Sequence, residues 1–492
     1  MATKAAFSLL TGNNIYEEDP IIEPILKHLW EDYTDHEQEL VEFGKWAGDE
    51  LIPALWHLDN HAPPQHLYFD PLGERVDQIW ISPLQRDLMN KLNEFGINSD
   101  PHSSDSLIYH YALGYLLSDA GLYCIFTLTN QVAIILSKYG PFKEEVPYIS
   151  GAQKPYKYGA TFYTEVTSGS DLSRNQTIAR KDGSKWLLTG EKYFTSNVGI
   201  ADYALVTAFE EGSERHIKNL RLFVVPRHRE DGSPNYVIRR LKPKIGSRLV
   251  PTGEVELKDS EAYPVGDLSL GIYYTVESLM YARLSNSVAS MGLAMKAYLE
   301  AKKFAEQRVT FGKPIIKHTL LAAEFEEYLD KLRRGVLLGF LAVAEMDKCW
   351  QVKPPYNEQY LYARLLTHIA KNRTAELAID ITQWAIEVFG GIGVLSEFII
   401  ERWHREAQVT IIWEGTAHIH ALEMIETIRK KQAGRLLIER LKDIANSEDL
   451  ARAEKIISFI ESGEAEDVIR KSRHLLRELA IIIENAYLGQ FS

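Results

Sequence analysis

Apolar residues recur at helical spacing over most of the first 140 positions. Leu40, Phe43, Gly44 and Ala47 lie three and four apart, the spacing of one face of an amphipathic helix. From Pro24 to Ser137 the pattern is mostly helical, broken by loops near His61-Ala62-Pro63-Pro64 and Asp100-Pro101. Residues 120–137 carry no charge, yet they include Thr127, Thr129, Asn130 and Gln131 and are short for a bilayer span. They read as a buried helix of a large core. The period changes near Gly159. Short strand-like runs follow at Thr161-Phe162-Tyr163-Thr164, Trp186-Leu187-Leu188, Tyr203-Ala204-Leu205-Val206 and Leu222-Phe223-Val224-Val225. Turn signals at Lys181-Asp182-Gly183-Ser184 and Asp231-Gly232-Ser233-Pro234 separate them. Such close spacing leaves no room for crossover helices and predicts an antiparallel β domain.

Helical period returns at Leu268 and persists to the end. Residues 273–307, 320–346 and 360–388 read as three long helices. The last ends at Gly390-Gly391, as a helix C-terminus favours. Beyond Arg435, the residues Leu436, Leu437, Ile438, Leu441 and Ile444 mark a further apolar face. The expected fold class is multi-domain α+β: a helical domain over 1–158, a central antiparallel β domain over 159–267, a helical bundle over 268–428 and an extra helical tail over 429–492.

Composition narrows the function. A chain of 492 residues, 45% hydrophobic and 25% charged, buries a large core. Its formal charge of −13 argues against general attraction to nucleic acid or anionic membrane. Cys124 and Cys349 are too few for a disulfide framework or a thiolate metal cage, which fits a reducing cytoplasm. The first ten residues, Met1 to Leu10, lack the long apolar stretch of a signal peptide. His404, His418 and His420 are near one another in sequence but sit among charges that suit a structural network, so no metal is expected.

The chemistry concentrates in a few segments. Trp413-Glu414-Gly415-Thr416 follows the apolar run Val409-Thr410-Ile411-Ile412. A carboxylate placed after water-excluding residues is disfavoured in its charged form and is therefore a stronger base. Gly415, lacking a Cβ, allows a ligand close to the backbone. Thr164-Glu165 leads into Gly169-Ser170-Asp171, a small polar loop of the kind that offers N–H groups and hydroxyls to a phosphate or a cofactor edge. Then come Phe194-Thr195-Ser196-Asn197, Arg308-Val309-Thr310-Phe311-Gly312 at the end of the first long helix, and Glu387-Val388-Phe389-Gly390-Gly391.

Taken in this order, these segments resemble the acyl-CoA dehydrogenase family of flavoproteins, and within it the alkylation-response (AidB) branch. The resemblance spans about Tyr163 to Ile425. It implies a C-terminal four-helix bundle and FAD as cofactor, with Tyr163, Thr164, Gly169, Ser170, Phe194 and Ser196 near the flavin. Glu387, Gly390 and Gly391 would serve its adenosine half, and Trp413, Thr416 and His418 would also touch it. Arg308 and Phe311 would reach FAD bound mainly by a neighbouring subunit, so a homo-oligomer, a tetramer in particular, is implied. Glu414 takes the catalytic base position. Ser170, Arg283, Glu414 and Gly415 would meet the acyl-CoA substrate. The base position found in other members on the long helix is Ala282 here, before Arg283, so no second carboxylate competes. Departures occur at Val166-Thr167-Ser168, Glu387 and Thr319, and Trp413 is bulkier than the Tyr common before the base, which implies a reshaped acyl pocket.

Three functions stay open at this level. One is an FAD-dependent dehydrogenase that passes electrons to an electron-transfer flavoprotein or similar acceptor. Another is a protective, DNA-binding flavoprotein of the AidB kind, for which Arg429-Lys430-Lys431 and Arg435 form the basic cluster, closely followed by Glu439, Asp443, Glu448 and Asp449. The third is an acyl-CoA oxidase, distinguished by oxygen access to the reduced flavin.

Overall fold

Seven strands in the middle of the chain close on themselves. The structure, a computed structural model, describes residues 8–103, 106–117 and 119–490; residues 1–7 of the N-terminal segment lie outside it. The described chain forms two compact units. One comprises the described residues of 57–105 and 121–282, the other those of 1–56, 106–120 and 283–492.

The first unit begins with a hairpin of β1 (Gln65–Phe69) and β2 (Arg75–Trp80), in a stretch whose pattern reads as helix and loop. Local polar bonds make it. Asp70 Oδ1 accepts from Leu72 N and Glu74 N at 2.9 and 2.8 Å, and buried Asp77 joins His66 at 3.0 Å to Arg75 at 3.0 Å. Alternation is weak in these strands, because most of their apolar residues are exposed: Phe69 is 58% and the tip residue Leu72 88% exposed, whereas Ile79 turns inward.

The sheet comprises β3 (Gly159–Phe162), β4 (Ile178–Asp182), β5 (Lys185–Ser196), β6 (Tyr203–Glu210), β7 (Leu220–Pro226), β8 (Val237–Leu241) and β9 (Thr252–Pro264). Its order is β3-β6-β4-β5-β9-β7, with β8 added on β9 and β7 paired back to β6. Closure leaves few free edges. Most pairings are antiparallel, as expected, but β3 and β4 each lie parallel to β6. Both strands precede β6 by long excursions, so neither is held by a hairpin to the antiparallel sense. One side of this unit buries Leu205, Phe209, Leu220, Leu222 and Val224 with Val132, Ile135 and Leu136. The latter three come from the helix Ala120–Tyr139, which is buried as its composition predicts.

The second unit is helical. The long helix Gly271–Gln307 contributes from Arg283 onward, with Thr319–Asp347, Glu358–Phe389, Ile399–Thr410 and Ala417–Lys431. Trp384 packs between Phe325 and Tyr328, with ring centroids at 4.9 and 4.2 Å, and its Nε1 donates to Glu324 at 3.1 Å. The tail supplies Ala433–Leu441, Ser447–Ser462 and Ala465–Leu488, which bury Leu437, Leu441, Ile457, Ile460, Leu476, Leu479 and Ile483. It is fastened by the Arg373–Glu484 pair at 2.8 Å and by Arg473 and Arg477 on Glu376. Two helical spans, 120–139 and 358–394, are long and apolar enough to cross a membrane; 89% of the apolar window of the first is buried in protein.

Candidate active site

Helix Ile399–Thr410 stops where Asn286 Nδ2, from the long helix, donates to Thr410 O at 3.0 Å. The next helix starts at Ala417, and the turn between them carries Glu414 at φ +58° and Gly415 at φ +108°. A side chain at positive φ costs about 1–2 kcal/mol, so something must hold Glu414 there. At Gly415 a Cβ would also lie 3.2 Å from His420 Nε2, so glycine is required.

Buried nitrogens on three helices hold the turn by its carbonyls. Arg283 Nε donates to Glu414 O at 2.9 Å, Lys371 Nζ donates to Gly415 O at 2.7 Å, and His420 Nε2 lies 3.1 Å from the same oxygen. Behind His420, His368 Nδ1 sits 3.1 Å from His420 Nδ1. Burial, helped by nearby Lys371, Arg283 and Arg364, keeps both imidazoles neutral by pushing their pKa values well down. Because His420 faces a carbonyl through Nε2, that atom bears its proton and Nδ1 accepts from His368. Arg364 anchors Glu423 at the far end of this row.

Strain and anchors converge on the carboxylate. Glu414 Oε2 and Trp413 Nε1, adjacent in sequence, are both buried and have no hydrogen-bond partner among the described residues. Burial pushes the Glu414 carboxyl up from its ordinary range, while the Arg283 and Lys371 charges pull it down. An unpartnered, desolvated carboxylate next to fixed cations suits a general base. The shelter does not come from the preceding apolar run as expected, since Ile412 is 64% exposed. It comes from the helices behind the turn. Arg283, expected to meet substrate, is instead 5% exposed with its Nε committed to the Glu414 carbonyl. Among the described residues, no acceptor takes the Glu414 N–H.

The other predicted residues divide by unit. In the sheet unit, Glu165 pairs with Ser168 in a tight turn that leaves Gly169 and Ser170 exposed. Buried Lys192 pins that turn through Glu165 at 2.8 Å, and Tyr193 N donates to Thr164 O at 2.9 Å. Phe194 is 52% exposed, with Lys242 Nζ 4.8 Å from its ring. Ser196 Oγ lies 3.0 Å from Thr252 Oγ1. Tyr163 is 6% exposed, with its hydroxyl 2.8 Å from Ser278 Oγ, so its ring is part of the core and only its backbone is left to meet a cofactor.

In the helical unit, Glu387, Gly390 and Gly391 are exposed, and a Cβ at either glycine would meet nothing within 4 Å. The backbone there is open to a close-lying ligand, as an adenosine cradle requires. Gly390, at φ +66°, ends its helix. Thr416 occupies the N-cap of Ala417–Lys431 without a side-chain capping bond, and His418 is exposed on its first turn. Backbone donors and a free hydroxyl at a helix start suit phosphate or a cofactor hydroxyl. Phe311 and Gly312, at φ +47° and +82°, form the tip of a two-residue hairpin between β10 (Val309–Thr310) and β11 (Lys313–Pro314). Phe311 is 97% exposed, and Arg308 is exposed at its base. The three histidines once grouped in sequence part company: His404 bonds Thr382 and Gln408, His418 faces solvent, and His420 is buried.

Lys371 and His368 escaped sequence reasoning, since a lysine and a histidine in a long helix carry no motif. Their only signal is i, i+3 spacing on one helix, beside the buried Leu365, Thr367 and Thr374.

Comparison with known proteins agrees with this geometry. Residues 270–428 match the acyl-CoA dehydrogenase C-terminal domain, 160–260 the acyl-CoA dehydrogenase middle domain, and 7–150 the adaptive response protein AidB N-terminal domain. The putative acyl-CoA dehydrogenase AidB of Escherichia coli K12 is 29% identical over 418 residues, covering 80% of this chain and 74% of that protein. Acyl-CoA dehydrogenase family member 11 of Caenorhabditis elegans is 28% identical over 450 residues, covering 86% and 72%. Among solved structures, the apo-form of Bd2924 superposes with a TM-score of 0.88 at 27% identity, over 98% of this chain and 97% of that one. The C. elegans ACDH-11 complex with C11-CoA gives 0.87 at 24% identity, over 97% and 87%, and shares the fold. The chain belongs to the acyl-CoA dehydrogenase family of FAD flavoproteins, with an N-terminal domain of the AidB kind.

Proposed function

We propose that the protein is an FAD-dependent acyl-CoA dehydrogenase in which Glu414 is the base. The observation that carries this reading is the buried, unpartnered Glu414 Oε2, held on a left-handed turn by cations that touch only backbone. Bound FAD supplies the hydride acceptor. Glu414 takes the proton from the carbon next to the thioester carbonyl, and the adjacent carbon gives up its hydrogen with the electron pair, leaving an α,β double bond. The free Glu414 N–H polarises the thioester oxygen, which acidifies that proton. Trp413 narrows the space beside the base. A solved relative holding C11-CoA supports an acyl thioester as the substrate class.

We assign Thr164, Gly169, Ser170, Phe194, Ser196, Gly390, Gly391, Thr416 and His418 to the cofactor. Arg308 and exposed Phe311 serve a second copy of the chain, so the working form is a homo-oligomer, a tetramer in our reading. An electron-transfer flavoprotein or similar acceptor reoxidises it. Cys124 and Cys349, thiols rather than a disulfide, suit a reducing cytoplasm. The DNA-binding alternative loses part of its basis, because Arg429 is spent on the carbonyls of Ile460 and Gly463 and Arg435 on Glu358 and Glu439.

Anaerobic titration of the yellow protein with acyl-CoA thioesters of graded length tests the proposal. Bleaching by one class supports it, and colour unchanged by all of them refutes it. Slow reoxidation of the bleached protein in air assigns a dehydrogenase, and fast reoxidation an oxidase.

A further inference from the structure

Lys371 stands on the helix Glu358–Phe389, 1% exposed, in a setting that solvates an ammonium poorly. Its Nζ has one acceptor among the described residues, Gly415 O at 2.7 Å, and none of their carboxylates forms an ion pair with it. A buried cation held by one carbonyl is a poor structural choice, since an apolar side chain of the same volume would fill the site at lower cost. The groups around it are few. Glu414 attracts it and Arg283, from the long helix, repels it. His420, from Ala417–Lys431, shares its carbonyl, and His368 lies one turn earlier on its own helix. Both imidazoles are neutral, so Lys371 and Arg283 are the cations behind the base.

We infer that Lys371 is a positioning residue that anchors the Glu414 turn through Gly415 O and holds the Glu414 carboxylate in its proton-accepting form. The inference rests on Glu414 as the base of the proposed reaction. Burial brings the Lys371 ammonium down to about 7, so its charge varies in the neutral range. Losing that charge strengthens the hold of Glu414 on a proton. The base is then protonated up to a higher pH, and the acid limb of activity moves upward. Arg283 keeps its charge throughout and supplies a constant part of the field.

Lys371→Met removes the charge and the hydrogen bond at similar length, and Lys371→Arg retains the charge. The protonation of Glu414 is followed by infrared titration of its carboxyl band in the FAD-loaded protein without acyl-CoA, the band being assigned by its loss in Glu414→Gln. We expect the Glu414 midpoint to rise by about one pH unit or more in Lys371→Met, a tenfold change in proton affinity, and to stay near native in Lys371→Arg. The acid limb of flavin bleaching by acyl-CoA should move by the same amount. An unchanged Glu414 midpoint in Lys371→Met overturns the inference. If Lys371→Met does not fold, Lys371→Gln takes its place, and the native protein gives a second reading. Its 15N-labelled lysine resonance missing from Lys371→Arg must titrate together with the Glu414 band, and independent titrations refute the coupling. Because the infrared measurement needs no substrate, a shifted band without any bleaching would sink the proposed reaction and leave the role of Lys371 standing.

Discussion

Arg283 and Glu414 meet through the backbone: the guanidinium Nε donates to the Glu414 carbonyl oxygen at 2.9 Å, leaving the carboxylate itself uncommitted. The protein thus orients its base without neutralising it. Replacing the carboxylate and replacing its anchor should therefore differ in kind. Glu414→Gln keeps shape and turn but removes the base, so flavin reduction by acyl-CoA should fall by about 10²–10⁴-fold or more with FAD still bound. Arg283→Lys, which cannot reproduce the guanidinium geometry, should slow reduction by roughly 10–10²-fold with a smaller effect on acyl-CoA affinity. Stopped-flow reduction and flavin content measure both, and undiminished reduction in Glu414→Gln would remove it as the base.

How much of this was legible in the chain follows from what each element depends on. The turn at Trp413-Glu414-Gly415 announces itself because its chemistry is local: an aromatic, an acid and a glycine in sequence. The long helices were legible for the same reason, each having a periodic apolar face. The anchors were not. Lys371 lies 43 positions before Glu414, and nothing in Ile369-Ala370-Lys371-Asn372 shows that its ammonium ends under a carbonyl of the turn between two other helices. The burial of the Tyr163 ring was not legible either, because Tyr163 lies just past β3, where Phe162 beside it is buried too and no alternation marks an inner face. The hairpin of β1 and β2 escaped because Asp70 and Asp77, rather than an apolar pattern, make it.

Phe311 offers a test of assembly. Its ring is 97% exposed at φ +47°, so in a lone subunit it contributes exposed apolar area on a strained residue and no packing. Phe311→Ser should therefore leave the subunit as stable as native, with thermal midpoints within a degree or two by the usual behaviour of exposed sites. Assembly and flavin retention should suffer instead. Sedimentation velocity is expected to show a smaller species, and desalting to strip more FAD. A variant that keeps native mass and flavin would show that the hairpin serves neither.

The turn from Glu165 to Ser168 depends on a buried charge. Lys192, 1% exposed, donates to Glu165 and to Thr207 O, both at 2.8 Å, and Glu165 also accepts from Thr177 Oγ1 at 2.6 Å. Burial lowers the ammonium to about 8 and the pairing lowers the carboxyl. Lys192→Met alone leaves Glu165 buried and unpaired and should cost about 3–5 kcal/mol. Adding Glu165→Gln should recover part of that loss, because neither partner is then charged. Denaturation of the single and double variants measures the coupling. Equal destabilisation in both would mean that the pair is not what holds the turn.

Glu300 gives the protein a pH dependence of definite sign. Its carboxylate, 2% exposed on the long helix, accepts Leu9 N at 2.8 and 2.9 Å. Burial raises it from an ordinary 4.5 to about 7 despite those bonds. Between these values the folded chain keeps the proton that the unfolded chain has released, so stability falls as pH rises through the interval. Above pH 7 the burial penalty is fully present, of order 3 kcal/mol for a shift of this size. Near pH 4 it vanishes. Glu300→Gln keeps one oxygen acceptor for Leu9 N and carries no charge at any pH. Its thermal midpoint relative to native should therefore be more favourable at pH 8 than at pH 5. Melting curves of the two proteins at both values decide it: a difference independent of pH would mean that Glu300 is ionised in the folded protein throughout and that water or a neighbouring cation reaches it.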